Sequence, residues 1–182
     1  TTEEYIRDKR FEIIGVGVKI NEEKTTFFSG SQLEIQKYLA TLPWNVSALL
    51  CHNTLFDGAI LAWRLGIRPK LYLDTLCMGR ATNGVDVGGS LGYLAERYKL
   101  GVKGTEVVQA EGKRLADFTP AELTAYGSYC INDVELTFKL FQVLSSAFPQ
   151  EEIQLIDMTL RMFINPILEV DDALLNDRLQ EL

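Results

Sequence analysis

The stretch from Val46 to Ala81 constrains the fold more than any other, because a short apolar run of strand length turns into a helical pattern there twice in succession. Val46 to Cys51 is the first such run. Thr54 to Gly66 follows it, with Leu55, Ile60, Leu61 and Leu65 at helical spacing and Gly66 as a C-terminal stop. Leu71 to Leu73 is the second run, and it leads into Asp74, a residue suited to cap a helix over Thr75 to Ala81. Strands joined through helices lie parallel and have their faces covered, so this segment predicts the parallel part of an α/β sheet.

The flanks extend that frame. Phe11 to Ile20, a polar turn at Asn21 to Lys24, and the run Thr25 to Gly30 predict an antiparallel hairpin. Ser31 is placed to cap a helix through Leu39, which Pro43 closes off. Further on come a turn-rich loop at Thr82 to Gly89, a helix at Ser90 to Tyr98, and a glycine-punctuated loop from Leu100 to Gly112. Thr119 to Leu144 gives the clearest helical signal, with Thr119 as cap, Pro120 at the first helical position and Glu122 in the first turn. The fold class expected is α/β: an N-terminal hairpin, then parallel strands, with helices on both faces of a mixed sheet. Residues 1–150 form the main domain in this reading. Residues 151–182, which begin with a helix at Glu151 to Phe163, are a helical connection to a following unit.

Charge limits the partners. With 18 Lys and Arg against 25 Asp and Glu the net charge is -7, so a cationic surface cannot by itself hold nucleic acid. The same balance suits a site in which carboxylates hold divalent cations and the metals meet the phosphate. Cys51, Cys77 and Cys130 have no CxxC spacing, which argues against a zinc knuckle or a disulfide framework and fits a reducing, intracellular setting. No apolar stretch approaches the roughly 20 residues of a membrane span. Thr1 to Arg10 is polar, acidic and without strand character, and the chain has the look of one cut at its start.

Two clusters of residues carry chemistry. In Cys51-His52-Asn53-Thr54-Leu55-Phe56-Asp57 a strand ends and a helix begins, which is where open α/β sheets place their sites. The structural alternative is a capping box between Thr54 and Asp57. In Tyr129-Cys130-Ile131-Asn132-Asp133 the four-residue spacing puts phenol and carboxylate on one helical face, in line with Leu136 and Leu140. A carboxylate on such a face needs a metal, or an Arg or Lys partner, because an unpaired buried charge costs several kcal/mol.

Taken together, these motifs resemble the tyrosine subclass of the DEDD exonucleases, which proofread for DNA polymerases, and the resemblance covers nearly the whole chain. That family's second motif, Asn-x-x-(Phe or Tyr)-Asp, is met by Asn53, Phe56 and Asp57, and its third, Tyr-x-x-x-Asp, by Tyr129 and Asp133. Asp74-Thr75, the segment Ser90 to Arg97, and the stretch Arg161 to Asp171 are similar to the family A, phage-type polymerase version. The resemblance implies a ribonuclease-H-like fold and hydrolysis of the 3′-terminal phosphodiester of single-stranded DNA. Two divalent ions, magnesium or alternatively manganese, would be held in part by Asp133 and Asp57. Tyr129 would orient the attacking water, Asn53 and Phe56 would meet the terminal nucleotide, and Lys103 and Thr105 would contact phosphate. His52 reads as a hydrogen-bonded strand-end residue.

The family's first motif, Asp-x-Glu, sits on a central strand ahead of the hairpin, and no strand expected here carries it. The expectation is that it lies upstream of Thr1, and that without it the hairpin and the Val46 to Cys51 strand face each other across unpaired backbone. The partners implied are a single-stranded DNA 3′ end, a polymerase domain of the same polypeptide and a replisome or processivity factor, in the cytoplasm of the host cell if phage-encoded. An exoribonuclease of the same superfamily and a catalytically inactive structural module are the rival readings.

Overall fold

The computed structural model describes residues 1–104 and 112–181. In chain order the elements are α1 (Thr2–Arg7), β1 (Gly15–Val18), β2 (Thr26–Ser29), α2 (Gln32–Ala40), β3 (Ala48–Cys51), α3 (Thr54–Leu65) and β4 (Leu71–Asp74). They are followed by α4 (Thr75–Asn83), α5 (Leu91–Arg97), α6 (Pro120–Ser145), α7 (Gln150–Ile164) and α8 (Asp172–Gln180). The expected mixed α/β architecture is present. β1 pairs antiparallel with β2 from Gly15↔Ser29 to Val18↔Thr26, and β3 pairs parallel with β4 from Ala48↔Leu71 to Cys51↔Asp74.

Among the described residues these are two separate two-stranded sheets. Both rest on α6, which packs against β1, β2 and β3. The approach is close because glycine stands at the contact: a Cβ on Gly17 would lie 3.0 Å from Val134 Cγ2, and one on Gly127 would lie 2.6 Å from the Phe27 ring. Glu135 of α6 completes the docking by accepting from Lys19 at 3.0 Å and from the buried Thr25 hydroxyl.

The outer edge of β4 is closed by a helix. Asp157 of α7 accepts from the Tyr72 backbone N–H at 2.7 Å, and Arg161 donates to the Lys70 carbonyl at 2.7 Å, so side chains stand where a neighbouring strand would. Leu160 and Ile164 of the same helix are buried with Ala59, Tyr72 and Ile6. The stretch that the sequence placed in a connecting segment thus packs against α3 and β4.

Thr1 to Arg10 behaves differently from the polar stretch expected. Thr1 and Glu4 form a capping box, α1 follows, and Ile6 is fully buried against the α3 and α7 cluster. A second core joins Met78, Leu91, Leu94, Leu136 and Leu140 between α4, α5 and α6, and a third joins Ile35, Leu39 and Leu65 beneath the hairpin. No described helix is long and apolar enough to cross a membrane.

Candidate functional site

The register of β3 and β4 sets Cys51 beside Asp74, so both strand-to-helix turns open at one level. Asp74 is 1% exposed, and its carboxylate accepts from the backbone N–H groups of Asn53 and Thr54 at 3.0 Å each and of Leu76 at 2.8 Å. It caps α4, as expected from the sequence, and it also meets the first amides of α3. One carboxylate thereby ties two helix starts together.

That arrangement overturns the capping box between Thr54 and Asp57. Asn53 is the N-cap of α3, in the left-handed region at φ 73°, and no side chain caps the helix from within. The Thr54 hydroxyl donates instead to the Leu73 carbonyl at 2.5 Å. Asp57 is left without a hydrogen bond from another side chain among the described residues, and burial, followed by the charge of Asp74, pushes its carboxyl up to about 7. Phe56 is half-buried, packed on the α3 and α7 cluster and stacked on Tyr5 with ring centroids 6.0 Å apart. Asn53 is exposed at the rim.

On α6, Asp133 lies 2.7 Å from the Lys103 ammonium through Oδ2, with the two side chains 23% and 31% exposed. Lys103 is therefore the cationic partner that the sequence left open for Asp133, not a group pointing freely into solution. The other carboxylate oxygen of Asp133, Oδ1, is buried with no hydrogen-bond partner among the described residues. Asn132, one residue earlier, donates to the Val102 carbonyl at 3.0 Å and so fixes the loop that presents Lys103. The ammonium also stands 5.3 Å from the centroid of the Tyr129 ring. Burial opposes the charge on Lys103, but the hydrogen bond to Asp133, helped by the nearby Tyr129 phenol, raises its pKa overall, while burial raises that of the Tyr129 phenol. Thr105 lies outside the described residues.

Both motifs act electrostatically on the end of β3. Cys51 feels the charges of Asp57 and Asp74, and His52 those of Asp74, Lys103 and Asp133. His52 is a strand-end residue, as expected: its Nε2 is 2.9 Å from the Gly89 carbonyl, which can only accept, so Nδ1 of the neutral ring accepts from the Thr75 hydroxyl at 2.9 Å. Burial lowers its pKa, in keeping with the neutral form.

The Oδ1 of Asp133 and the carboxylate of Asp57, both without a side-chain partner among the described residues, suit a divalent cation, which removes the penalty of a buried carboxylate. They supply two carboxylates, and no group of three or more His, Cys, Asp or Glu side chains is gathered as a metal site among the described residues. Sequence reasoning missed the double role of Asp74, the Lys103 partnership and the loop contact of Asn132. The Cys51↔Asp74 pairing was the one signal present, since it follows from aligning two short strands that both end at a helix.

Comparison with family models, with curated proteins and with solved structures finds no match to this chain.

Proposed function

We propose that this chain is the 3′ to 5′ exonuclease region of a family A, phage-type DNA polymerase, on a ribonuclease-H-like sheet, acting on the 3′ end of single-stranded DNA. The observation that carries the reading is the buried Oδ1 of Asp133, without a hydrogen-bond partner among the described residues, one helical turn from Tyr129 and beside the β3 terminus where Asp57 also acts. A carboxylate kept short of partners in that position is a ligand in waiting.

Two divalent ions, magnesium or manganese, would supply activation of water and stabilisation of the leaving oxygen. Asp133 and Asp57 would hold them from α6 and α3. The Tyr129 hydroxyl, raised in pKa and hence protonated at neutral pH, can orient a water by hydrogen bonding. Asn53, held in the left-handed conformation at the rim, would turn its amide to the sugar or phosphate of the terminal nucleotide. Phe56, supported from behind by Tyr5, would form an apolar wall for the base, and stacking of that kind tolerates any sequence.

The Asp-x-Glu pair completing the family's ligand set would come from a strand that this sequence does not carry. The two sheets, both resting on α6 but not joined to each other, support a place for it between β1 and β3. The polymerase domain and any replisome factor belong to the same proposal.

The Lys103 to Asp133 ion pair favours one rival, a structural module in which the lysine replaces the metal for good. Asp133→Ala in the full-length protein separates the two. Loss of metal-dependent degradation of single-stranded DNA by at least about 1000-fold, with folding retained, is expected of a ligand. Unchanged degradation, or none by the parent, sinks the assignment, and a preference for a matched RNA strand would redirect it to an exoribonuclease.

A further inference from the structure

Beside the carboxylates lies a cleft of about 370 Å³, lined in part by His52, Leu76, Arg80, Gly89, Ser90 and Lys103. Among the described residues, no acidic side chain lines it. In a chain of net charge -7, a described lining that holds Arg80 and the Asp133-paired Lys103 and no acidic side chain is a local exception to the overall charge.

The polar groups divide into those that build the cleft and those that face it. His52 builds: both ring nitrogens are taken, by Thr75 and by the Gly89 carbonyl, so the ring fastens the loop ahead of α5 to the end of β3. Ser90 caps α5 by accepting from the Tyr93 N–H at 3.3 Å, which leaves its hydroxyl proton to donate. Arg80, in the last turn of α4, is exposed and makes no ion pair among the described residues. Gly89 makes room for it, since a Cβ there would meet Leu76 Cδ1 at 2.7 Å and Arg80 Nε at 3.3 Å. Lys103 is shared: it touches Asp133 at 2.7 Å and also lines the cleft. An anion in the cleft would therefore sit one ammonium away from the carboxylate site.

We propose that this cleft is a phosphodiester subsite, in which Arg80, Ser90 and Lys103 seat the backbone of a single strand whose end lies at the carboxylates. Arg80 supplies the planar donor fork suited to phosphate, and Leu76 an apolar floor for the sugar. The identity of the strand rests on the exonuclease reading, but the anion site does not.

The test is equilibrium binding of a fluorescent oligothymidylate to the chain in EDTA, across a series of monovalent salt concentrations. Arg80→Ala is expected to weaken binding about 5-fold near 0.1 M salt and to make the log-log salt slope shallower by about 0.7, the signature of one lost phosphate contact on a single strand. Arg80→Lys should restore most of the slope. Lys37→Ala on α2, an equal change in net charge, should leave both quantities alone. An unchanged slope in Arg80→Ala, or an equal loss in Lys37→Ala, overturns the subsite. Displacement of the oligonucleotide by inorganic phosphate as readily as by thymidine 5′-monophosphate would also overturn it in favour of a general anion site. Cleavage by the full-length protein with metal is read separately. Cleavage without an Arg80 effect ends the subsite alone, and an Arg80 effect without cleavage ends the nuclease reading alone.

Discussion

Asp74, at the end of β4, meets three backbone N–H groups and the Cys77 thiol, whereas Asp133, in the middle of α6, meets one ammonium and leaves a buried oxygen with nothing among the described residues. Both are carboxylates inside an α/β frame, yet the first has its acceptor capacity filled by the fold and the second does not. A filled carboxylate holds structure together, and its removal strands the donors around it. An unfilled one is a standing cost to stability, which a protein retains where a ligand completes it.

The largest effect is expected from Asp74→Ala. It leaves the first amides of two helices unsatisfied at a position closed to solvent, and the loss should be about 3 kcal/mol or more in urea denaturation. Asp133→Ala in the same assay should cost no more than about 1 kcal/mol, since it removes a partly exposed pair together with an oxygen that has no partner among the described residues. Equal losses would erase the distinction between the two sites.

Next comes Tyr129→Phe, which keeps the ring and removes the hydroxyl. If that hydroxyl positions water beside Asp133, strand degradation should slow about 100-fold with little change in KM. A rate within 2-fold or so of the parent would make Tyr129 a packing residue of the Phe27, Tyr126 and Tyr129 aromatic row.

Asp57 falls between the two extremes, and pH exposes it. Its carboxyl titrates at about 7 in the folded chain, well above the unfolded value near 3.9, so across that interval the native state binds more protons than the unfolded one. Stability should then fall as pH rises from about 4 to about 7, on the order of 2 kcal/mol after allowance for its partial exposure. Asp57→Asn should flatten that part of the pH profile, as measured by denaturant midpoints. A profile unchanged by the substitution would mean that Asp57 carries its charge at no cost.

The fold was legible where local chemistry decides it. Thr119, Pro120 and Glu122 mark the start of α6, and Ser31 marks that of α2, because capping acts within one turn. The hairpin and the β3 and β4 strands followed from apolar runs bounded by turns. α1 escaped because a six-residue helix has too few apolar positions to show a period, and its one anchor, Ile6, matters only once α3 and α7 are in place. The site was legible in its carboxylates and not in their environment. Lys103 and Asp133 lie 30 residues apart, and Asp157 reaches Tyr72 across 85, so neither contact leaves a mark on its own neighbourhood. Thr54 and Asp57 had the right spacing for a cap, but Asp74, from another strand, had already taken the amides.

The smallest effect expected is also the one that discriminates most. Lys103→Gln removes the only ion-pair partner of Asp133 among the described residues while keeping most of the side chain's length and its place over Tyr129. If the pair merely offsets a carboxylate destined for a cation, its two partners are screened by water on one side, and the change should lie within about 1 kcal/mol in urea. Apparent affinity for manganese should then rise, because the ammonium no longer competes for Oδ2. If instead the lysine is the permanent partner of a retired site, its removal uncovers a charge that the fold relies on. A loss approaching the roughly 3 kcal/mol typical of a broken buried pair, with no gain in manganese binding, would set Asp133 beside Asp74 as a structural carboxylate.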